Sequence, residues 1–276
     1  MMWWMNSPII LYKNLGETPL ACMERYRSLH TELVGVPMTY AGRLDPLAEG
    51  VLIVLAGDAV HEKEKYLNLD KEYLVDVLFG FDTDTHDVLG MVDWTRTNVE
   101  QTQKESGVPL CGTFDLTTQD QIKSVLQTFL GSRTQKYPRF SSRTIFGKPL
   151  FAWAKKGELN EEDIPSREIT IHSILLVGMK TITCDELDKI IEDKINTVVG
   201  DFRQESILKQ WKEIFAIQKA ENELLNYTVA TIRVSCSSGT YMRTLASEIG
   251  KKLGISSLAL HICRTKVGLF RAINEV

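Results

Sequence analysis

A short glycine-containing loop that leads directly into an uninterrupted apolar segment constrains this chain most. The loop spans residues 40–50 and contains two glycines and one proline. The five residues that follow it, 51–55, are all apolar, which predicts a buried strand. A loop that is fixed to a buried strand has a rigid base, and functional side chains are often displayed on such loops.

The rest of the chain mixes helical and strand patterns without a strict alternation. Thr18 and Pro19 predict a helix start, followed by apolar residues at helical spacing as far as Leu33. Residues 72–79 and 227–236 are typical of strands, whereas residues 240–253 predict a helix. A capping box at residues 118–121 opens another amphipathic helix. We therefore predict an α+β fold, with residues 1–276 forming a single domain.

Charge is distributed unevenly along the chain, whose net charge is −4. Residues 121–157 contain no acid and eight bases: Lys123, Arg133, Lys136, Arg139, Arg143, Lys148, Lys155 and Lys156. Such a basic band favours phosphate binding, whatever the global charge. Residues 183–226 instead contain ten acids and six bases. They also carry a helical apolar pattern at Ile207, Leu208, Trp211, Ile214 and Phe215, which predicts an inserted helical element.

Several classes of protein are disfavoured by the sequence. No apolar run reaches the roughly 18 residues of a membrane span, and the N-terminus lacks the features of a signal peptide. Five widely spaced cysteines without a CxxC pair argue against structural zinc and a disulfide framework, and favour the cytoplasm. Asp82, Asp84 and Asp87 suggest a calcium loop, but the glycine and glutamate of that motif are replaced by Asp87 and Asp93. We expect these aspartates to cap turns.

Three side chains are candidates for chemistry. Asp45 precedes Pro46, which favours an extended backbone; the alternative is that the pair simply forms a turn. Arg243 lies in the first turn of a predicted helix, where a cation opposes the helix dipole at a cost of roughly 0.3–1 kcal/mol. A facing carboxylate or phosphate would explain its position, although a solvated arginine is the alternative. Tyr73 lies in the middle of the strand predicted over residues 72–79.

Five segments, in the same order along the chain, resemble the motifs of the TruB family of tRNA pseudouridine synthases. The first two are AGRLDPLAEGVL (41–52), which resembles the catalytic loop, and KEY (71–73) with GFDTDTHDVLG (80–90). The third, QKYPRFS (135–141) with Gly147 and Lys148, resembles an RNA-gripping thumb, which we assign to residues 131–157. The last two are CSSGTYMRTL (236–245) and ICRT (262–265). Five ordered matches favour a functional Asp45 over a simple turn.

The resemblance implies a pseudouridine synthase core with a long mixed sheet and a central cleft. It implies that Asp45 acts at the ribose, that Arg243 pairs with it, and that Tyr73 stacks on the flipped base. The substrate would be a uridine in the T-arm loop of tRNA, bound by a monomer without a metal or cofactor. Residues implied in substrate binding are Tyr40, Arg43, Ile262, Arg133, Lys136, Arg139, Arg143 and Lys148.

The sequence also departs from the family pattern. Tyr40 stands where the family usually has histidine, and Arg43 where a small residue is usual. Residues 183–226 are not a family feature; we expect them to pack away from the RNA-facing cleft. The chain ends soon after Phe270, so we expect no C-terminal PUA-type domain. Two alternatives stay open: the same reaction on ribosomal or another RNA, and a non-catalytic RNA-binding or folding helper.

Overall fold

The computed structural model describes residues 7–93, 118–221 and 225–271. Within these ranges the strands are β1 Ile9–Lys13, β2 Met38–Ala41, β3 Ala48–Ala56, β4 Lys71–Phe79, β5 Gly131–Lys136, β6 Thr144–Ile145, β7 Lys148–Pro149, β8 Ser166–Thr183, β9 Asn226–Cys236, β10 Ser257–Val267 and β11 Phe270–Arg271. The α-helices are α1 Pro19–Leu29, α2 Lys63–Leu67, α3 Gln119–Gln127, α4 Leu150–Lys156, α5 Cys184–Thr197, α6 Gln204–Glu221 and α7 Met242–Leu253.

Nine strands form one mixed sheet, which confirms the predicted α+β class. The main path is β1-β3-β10-β4-β9-β8-β5, with β2 added to β3 and β11 to β10. Strands β3 and β10 are parallel, whereas the other pairs of this sheet are antiparallel. Residues 51–55 lie inside β3 and have no exposed surface, as the apolar run predicts. The thumb adds a separate two-stranded hairpin of β6 and β7.

Both faces of the sheet carry a hydrophobic core. On one face, Tyr73 and Val75 of β4 pack with Leu245 and Ile249 of α7 and with residues of α3. On the other face, Leu78 of β4 packs with the helices of the acidic segment. The alternating pattern of β4 therefore places Tyr73 and Leu78 on opposite sides. No helix within the described ranges is long and apolar enough to cross a membrane.

Local signals set most of the helix boundaries. Thr18 accepts a hydrogen bond from the backbone of Ala21 and caps α1, as predicted. The helix ends at Leu29, however, and Leu33 lies in a short 3-10 turn, so the predicted helix was too long. Thr118 and Gln121 form the predicted capping box of α3. The first helix thus starts as predicted and ends early, whereas α7 starts two residues later than predicted, at Met242, and ends at Leu253 as predicted.

The acidic segment contains two helices, α5 and α6, rather than one element. Ile207, Trp211, Ile214 and Phe215 of α6 are all at most 1% exposed, so the predicted apolar stripe packs on the core. The indole nitrogen of Trp211 also donates a hydrogen bond to the Val88 carbonyl over 3.1 Å. The segment is therefore bound to the sheet face opposite Tyr73.

Candidate active site

The centre of the site is an ion pair between Asp45 and Arg243. Asp45 lies between β2 and β3, and Arg243 is the second residue of α7. Arg243 Nε donates to Asp45 Oδ2 over 2.7 Å. The Arg243 side chain is 4% exposed, whereas that of Asp45 is 38% exposed. The carboxylate thus reaches solvent while its partner is enclosed in the protein.

Arg243 is also fixed by two carbonyl groups and a second carboxylate. Its Nη1 donates to the Thr85 carbonyl over 2.8 Å, and its Nη2 donates to the Phe140 carbonyl over 3.2 Å. Asp87 Oδ2 lies 3.6 Å from Nε. All three nitrogens of the guanidinium are engaged, so its orientation, and that of Asp45, is defined by several loops at once.

Burial and charge act in opposite directions on these groups. Burial alone would lower the pKa of Arg243, but the negative charges of Asp45 and Asp87 outweigh it and raise that pKa. Burial raises the pKa of Asp87, and the opposing attraction of Arg243 compensates only in part. Arg243 therefore stays charged at any physiological pH.

Tyr73 and Ile262 belong to the same buried hydrophobic cluster as Leu44, the residue before Asp45. Tyr73 is 8% exposed and pairs with Arg264 across β4 and β10, while Ile262 pairs with Val75. Burial raises the pKa of Tyr73, so its phenol stays protonated near neutral pH.

Two buried cations that the sequence did not reveal hold the loop of Asp45. Arg264 donates to the carbonyls of Val51 over 2.8 Å and Arg43 over 3.1 Å. Lys13 contacts the carbonyls of Pro46 and Ala48 at 3.3 and 2.5 Å. Burial lowers the pKa of Lys13 to about 8. Arg264 lies in the ICRT motif (262–265), although the sequence analysis assigned it no role, and no sequence signal pointed to Lys13.

The carboxylates of Asp82, Asp84 and Asp87 accept hydrogen bonds from the backbone of their own loop, as predicted. Asp82 accepts from the backbone of Thr83, and Asp84 accepts from that of Met91, both over 2.9 Å. Asp87 accepts from the backbone of Leu89 over 3.0 Å. Asp87 also contacts Arg243, a role in the site that the sequence analysis missed.

Two predicted substrate-binding residues, Tyr40 and Arg43, precede Asp45 in the chain. Tyr40, in β2, packs against a cluster that includes Cys22 and Met23, with Lys63 Nζ 5.8 Å from its ring centre. Among the described contacts, no hydrogen bond or ring contact joins Tyr40 to Asp45. Arg43, two residues before Asp45, is exposed. Of the two, Arg43 is therefore better placed to meet a phosphate.

The basic residues of the thumb fall into two groups. Arg133 pairs with Glu248 over 2.9 Å and stacks on Phe129, and Arg139 pairs with Glu161 over 2.9 Å. Lys136, Arg143 and Lys148 are exposed, and no salt bridge to a carboxylate is described for them. Arg133 and Arg139 therefore pair with acids of the protein itself. The distribution of charge along the sequence did not reveal these pairs.

Comparison with known proteins agrees with this fold. Residues 29–198 match the family model described as TruB family pseudouridylate synthase, N-terminal domain. A protein of Bacillus pumilus named tRNA pseudouridine synthase B is 30% identical over 96% of this chain, and one of Lactiplantibacillus plantarum with the same name is 28% identical over 96%. The solved Cbf5-Nop10-Gar1 complex aligns with 97% of this chain and 51% of the other, at a TM-score of 0.53 and 16% identity, which shows the shared fold.

The sheet, the Asp45–Arg243 pair and these matches together define a pseudouridine synthase domain. More specifically, the chain belongs to the TruB family. It spans about two thirds of the length of the curated relatives, 66% for the Bacillus pumilus protein.

Proposed function

We propose that this protein isomerises a uridine in the T-arm loop of tRNA to pseudouridine. The observation that carries the proposal is the solvent-reaching Asp45, held by the buried Arg243 within the family's motif. The name of the relatives, tRNA pseudouridine synthase B, supports tRNA as the substrate. An enzyme, rather than a helper, is favoured because a protein that only binds RNA does not need a buried cation to orient an exposed carboxylate.

The reaction exchanges one bond of the nucleoside for another. The N1–C1′ glycosidic bond breaks, C5 of the uracil bonds to C1′, the C5 proton leaves and N1 gains a proton. Atoms balance without a co-substrate. Asp45 acts at the sugar as nucleophile or base, a role suited to a carboxylate where charge develops at an anomeric carbon. Arg243 occupies Oδ2, while no hydrogen bond to Oδ1 is described, which leaves that oxygen available for the substrate.

The target base must leave its stack to reach Asp45. A base in a single-stranded loop does so at a lower cost than a base in a duplex, which favours a T-arm loop as substrate. Tyr73 and Ile262 then provide an apolar wall for the flipped base. Because the Tyr73 phenol stays protonated, we assign it stacking rather than proton abstraction.

The thumb hairpin supplies a surface suited to RNA. Phe146, at its tip, is 79% exposed and is flanked by the exposed Arg143 and Lys148. Cations beside an exposed aromatic ring are the usual combination for contacts with phosphates and unstacked bases. We infer that Arg143 and Lys148 contact the RNA backbone and that Phe146 stacks on a base.

We further infer that the protein acts as a monomer in the cytoplasm. One chain carries Asp45, Tyr73 and Arg243, so the site does not require a second copy. Cys22, Cys184, Cys236 and Cys263 are free thiols, which suits a reducing compartment.

Release of tritium from C5-labelled uridine tests the proposed activity. A T-arm stem-loop and a ribosomal RNA fragment, each labelled at C5, are incubated with the wild-type protein. We expect release from the T-arm substrate and little from the ribosomal one. Preference for the ribosomal fragment would favour that target instead, and binding without release from either would favour the non-catalytic helper.

A further inference from the structure

The loop between α5 and α6, residues 198–203, begins where the match to the family model ends; we call it the insertion loop. Gln204 fixes its shape. The Gln204 amide donates to the carbonyls of Val198 over 3.1 Å and Gly200 over 2.6 Å, and it accepts from the backbone of Phe202 over 2.8 Å. The loop is therefore ordered by its own contacts.

Arg203, the last residue of the insertion loop, joins it to two other segments. Its guanidinium makes a bidentate ion pair with Asp84, over 2.8 and 3.2 Å, and lies 4.5 Å from the ring centre of Phe140. Its φ of 65° is in the left-handed region, which a residue with a side chain seldom adopts. Such a conformation persists where the surrounding contacts fix it.

Both contacts of Arg203 lead to the carbonyls that hold Arg243. Phe140, on which Arg203 stacks, provides the carbonyl that accepts from Arg243 Nη2. Asp84 directly precedes Thr85, whose carbonyl accepts from Nη1. Arg203 and Arg243 are therefore linked in two ways. One link runs through Phe140 alone, and the other runs through the adjacent residues Asp84 and Thr85.

The insertion loop also reaches the backbone beside Asp45. The Val199 amide donates to the Gly16 carbonyl over 3.2 Å, and the Gly16 amide donates to the Pro46 carbonyl over 2.9 Å. A Cβ at Gly16 would lie 2.2 Å from the Thr197 carbonyl oxygen, so this approach requires glycine. One loop thus contacts the supports of both members of the Asp45–Arg243 pair.

We propose that the insertion loop is a brace for the Asp45–Arg243 pair and that Arg203 is its positioning residue. The assignment rests on the proposed function, because the reaction gives the orientation of Asp45 its importance. It also refines the expectation that residues 183–226 pack away from the RNA-facing cleft. The helices do pack on the opposite sheet face, but the loop between them extends to the loops of the site.

Arg203→Gln tests the brace by removing both the ion pair and the stacking cation. Lys212→Gln is a matched control. It also removes an ion pair, the one between Lys212 and Glu192 over 2.7 Å, but this pair lies in the middle of α6, away from the insertion loop. Single-turnover rates on a saturating T-arm stem-loop and the Kd for that RNA are measured for each. We expect Arg203→Gln to lower the rate constant by about ten- to a hundredfold with Kd little changed, and Lys212→Gln to leave both as in the wild type. Arg203→Lys, which keeps a charge but not the planar fork, should be intermediate.

A second measurement does not depend on activity. In protein labelled with ¹⁵N-arginine, the Nε–H signal of Arg243, assigned by its loss in Arg243→Lys, reports the bond to Asp45. Arg203→Gln should shift or broaden this signal, whereas Lys212→Gln should not.

The two measurements separate the possible failures. A wild-type rate in Arg203→Gln together with an unchanged Arg243 signal would overturn the brace. Absence of turnover by the wild-type protein would instead refute the proposed function, and the Arg243 signal would still decide on the brace.

Discussion

Arg243 donates its Nε to Oδ2 of Asp45 over 2.7 Å, across 198 positions of sequence, and only Asp45 of the two is open to solvent. The buried partner cannot rotate away without losing the Thr85 and Phe140 carbonyls as well. Asp45 is therefore oriented by a guanidinium that the protein backbone fixes in place. For this reason, substitutions of Asp45 and of Arg243 should have different effects.

Asp45→Asn should abolish pseudouridine formation. The amide retains the shape of the side chain but cannot act as nucleophile or base. We expect the Kd for a T-arm stem-loop to change by no more than about threefold, because the thumb is untouched. Tritium release and a binding assay measure the two effects, and appreciable turnover would refute the role of Asp45.

Arg243→Lys should lower the rate strongly while RNA binding changes little. Lysine preserves the charge, but one ammonium cannot reproduce the contacts that Nε, Nη1 and Nη2 make with three different groups. A buried cation with fewer partners also destabilises the fold, so the unfolding midpoint is measured in parallel. Rates equal to those of the wild type would mean that the pair does not orient Asp45.

The two groups of thumb cations should differ in their effect on RNA binding. Replacing Arg143 and Lys148 by glutamine should weaken binding and reduce the slope of log K against log salt by about 1.4–1.8, for two lost phosphate contacts. Replacing Arg133 and Arg139 instead should change the slope less, because these residues already pair with Glu248 and Glu161. Equal slopes for the two double variants would contradict this division.

Phe146→Asn should weaken RNA binding while it stabilises the hairpin. Phe146 and Gly147 have φ of 47° and 77°, and asparagine tolerates that region better than phenylalanine. Loss of one base stack costs roughly 1–3 kcal/mol. The Kd should therefore rise at least about fivefold, without a change in salt slope, while Phe146→Trp retains affinity. An asparagine variant that binds RNA as tightly as the wild type would show that Phe146 does not stack on a base.

Stability should rise between pH 8 and 9.5 through Lys71, which is buried and contacts the Leu67 and Leu69 carbonyls. Burial lowers its pKa from 10.5 to about 8. Between these values the unfolded chain binds more protons than the folded one, so the free energy of unfolding increases with pH. Relative to Lys71→Met, the wild type should gain on the order of 1–2 kcal/mol by pH 9.5. Urea unfolding of both proteins measures this difference. If their free energies of unfolding changed equally with pH over this range, the lowered pKa of Lys71 would be contradicted.

The sequence predicted the site more completely than its supports. Asp45, Tyr73 and Arg243 lie in motifs. In the structure, Asp45 and Arg243 contact each other, and Tyr73 lies in the neighbouring hydrophobic core. Asp87 and Arg264 were not assigned to the site, because their partners come from distant segments through the strand order. Local patterns such as capping boxes and apolar periodicity cannot reveal contacts of that kind.

The same limit applies to surface charge. The eight cations of residues 121–157 form one band in the sequence, but Glu248 and Glu161 lie outside it and neutralise two of them in the fold. Likewise, the apolar stripe of α6 predicted burial correctly. The position of Arg203, however, depends on its own left-handed backbone conformation, which a residue with a side chain seldom adopts.

The anchoring of the Arg43 carbonyl by Arg264, 221 positions further along the chain, has a consequence for biosynthesis. Strand β10 also lies between β3 and β4, so the middle of the sheet cannot close until β10 has left the ribosome. Contacts of such long range form slowly, because the loop-closure entropy must be overcome first. We therefore expect the nascent chain to be inactive until β10 has been synthesised and has joined the sheet. Truncation before residue 264 should abolish activity although Asp45, Tyr73 and Arg243 are all present.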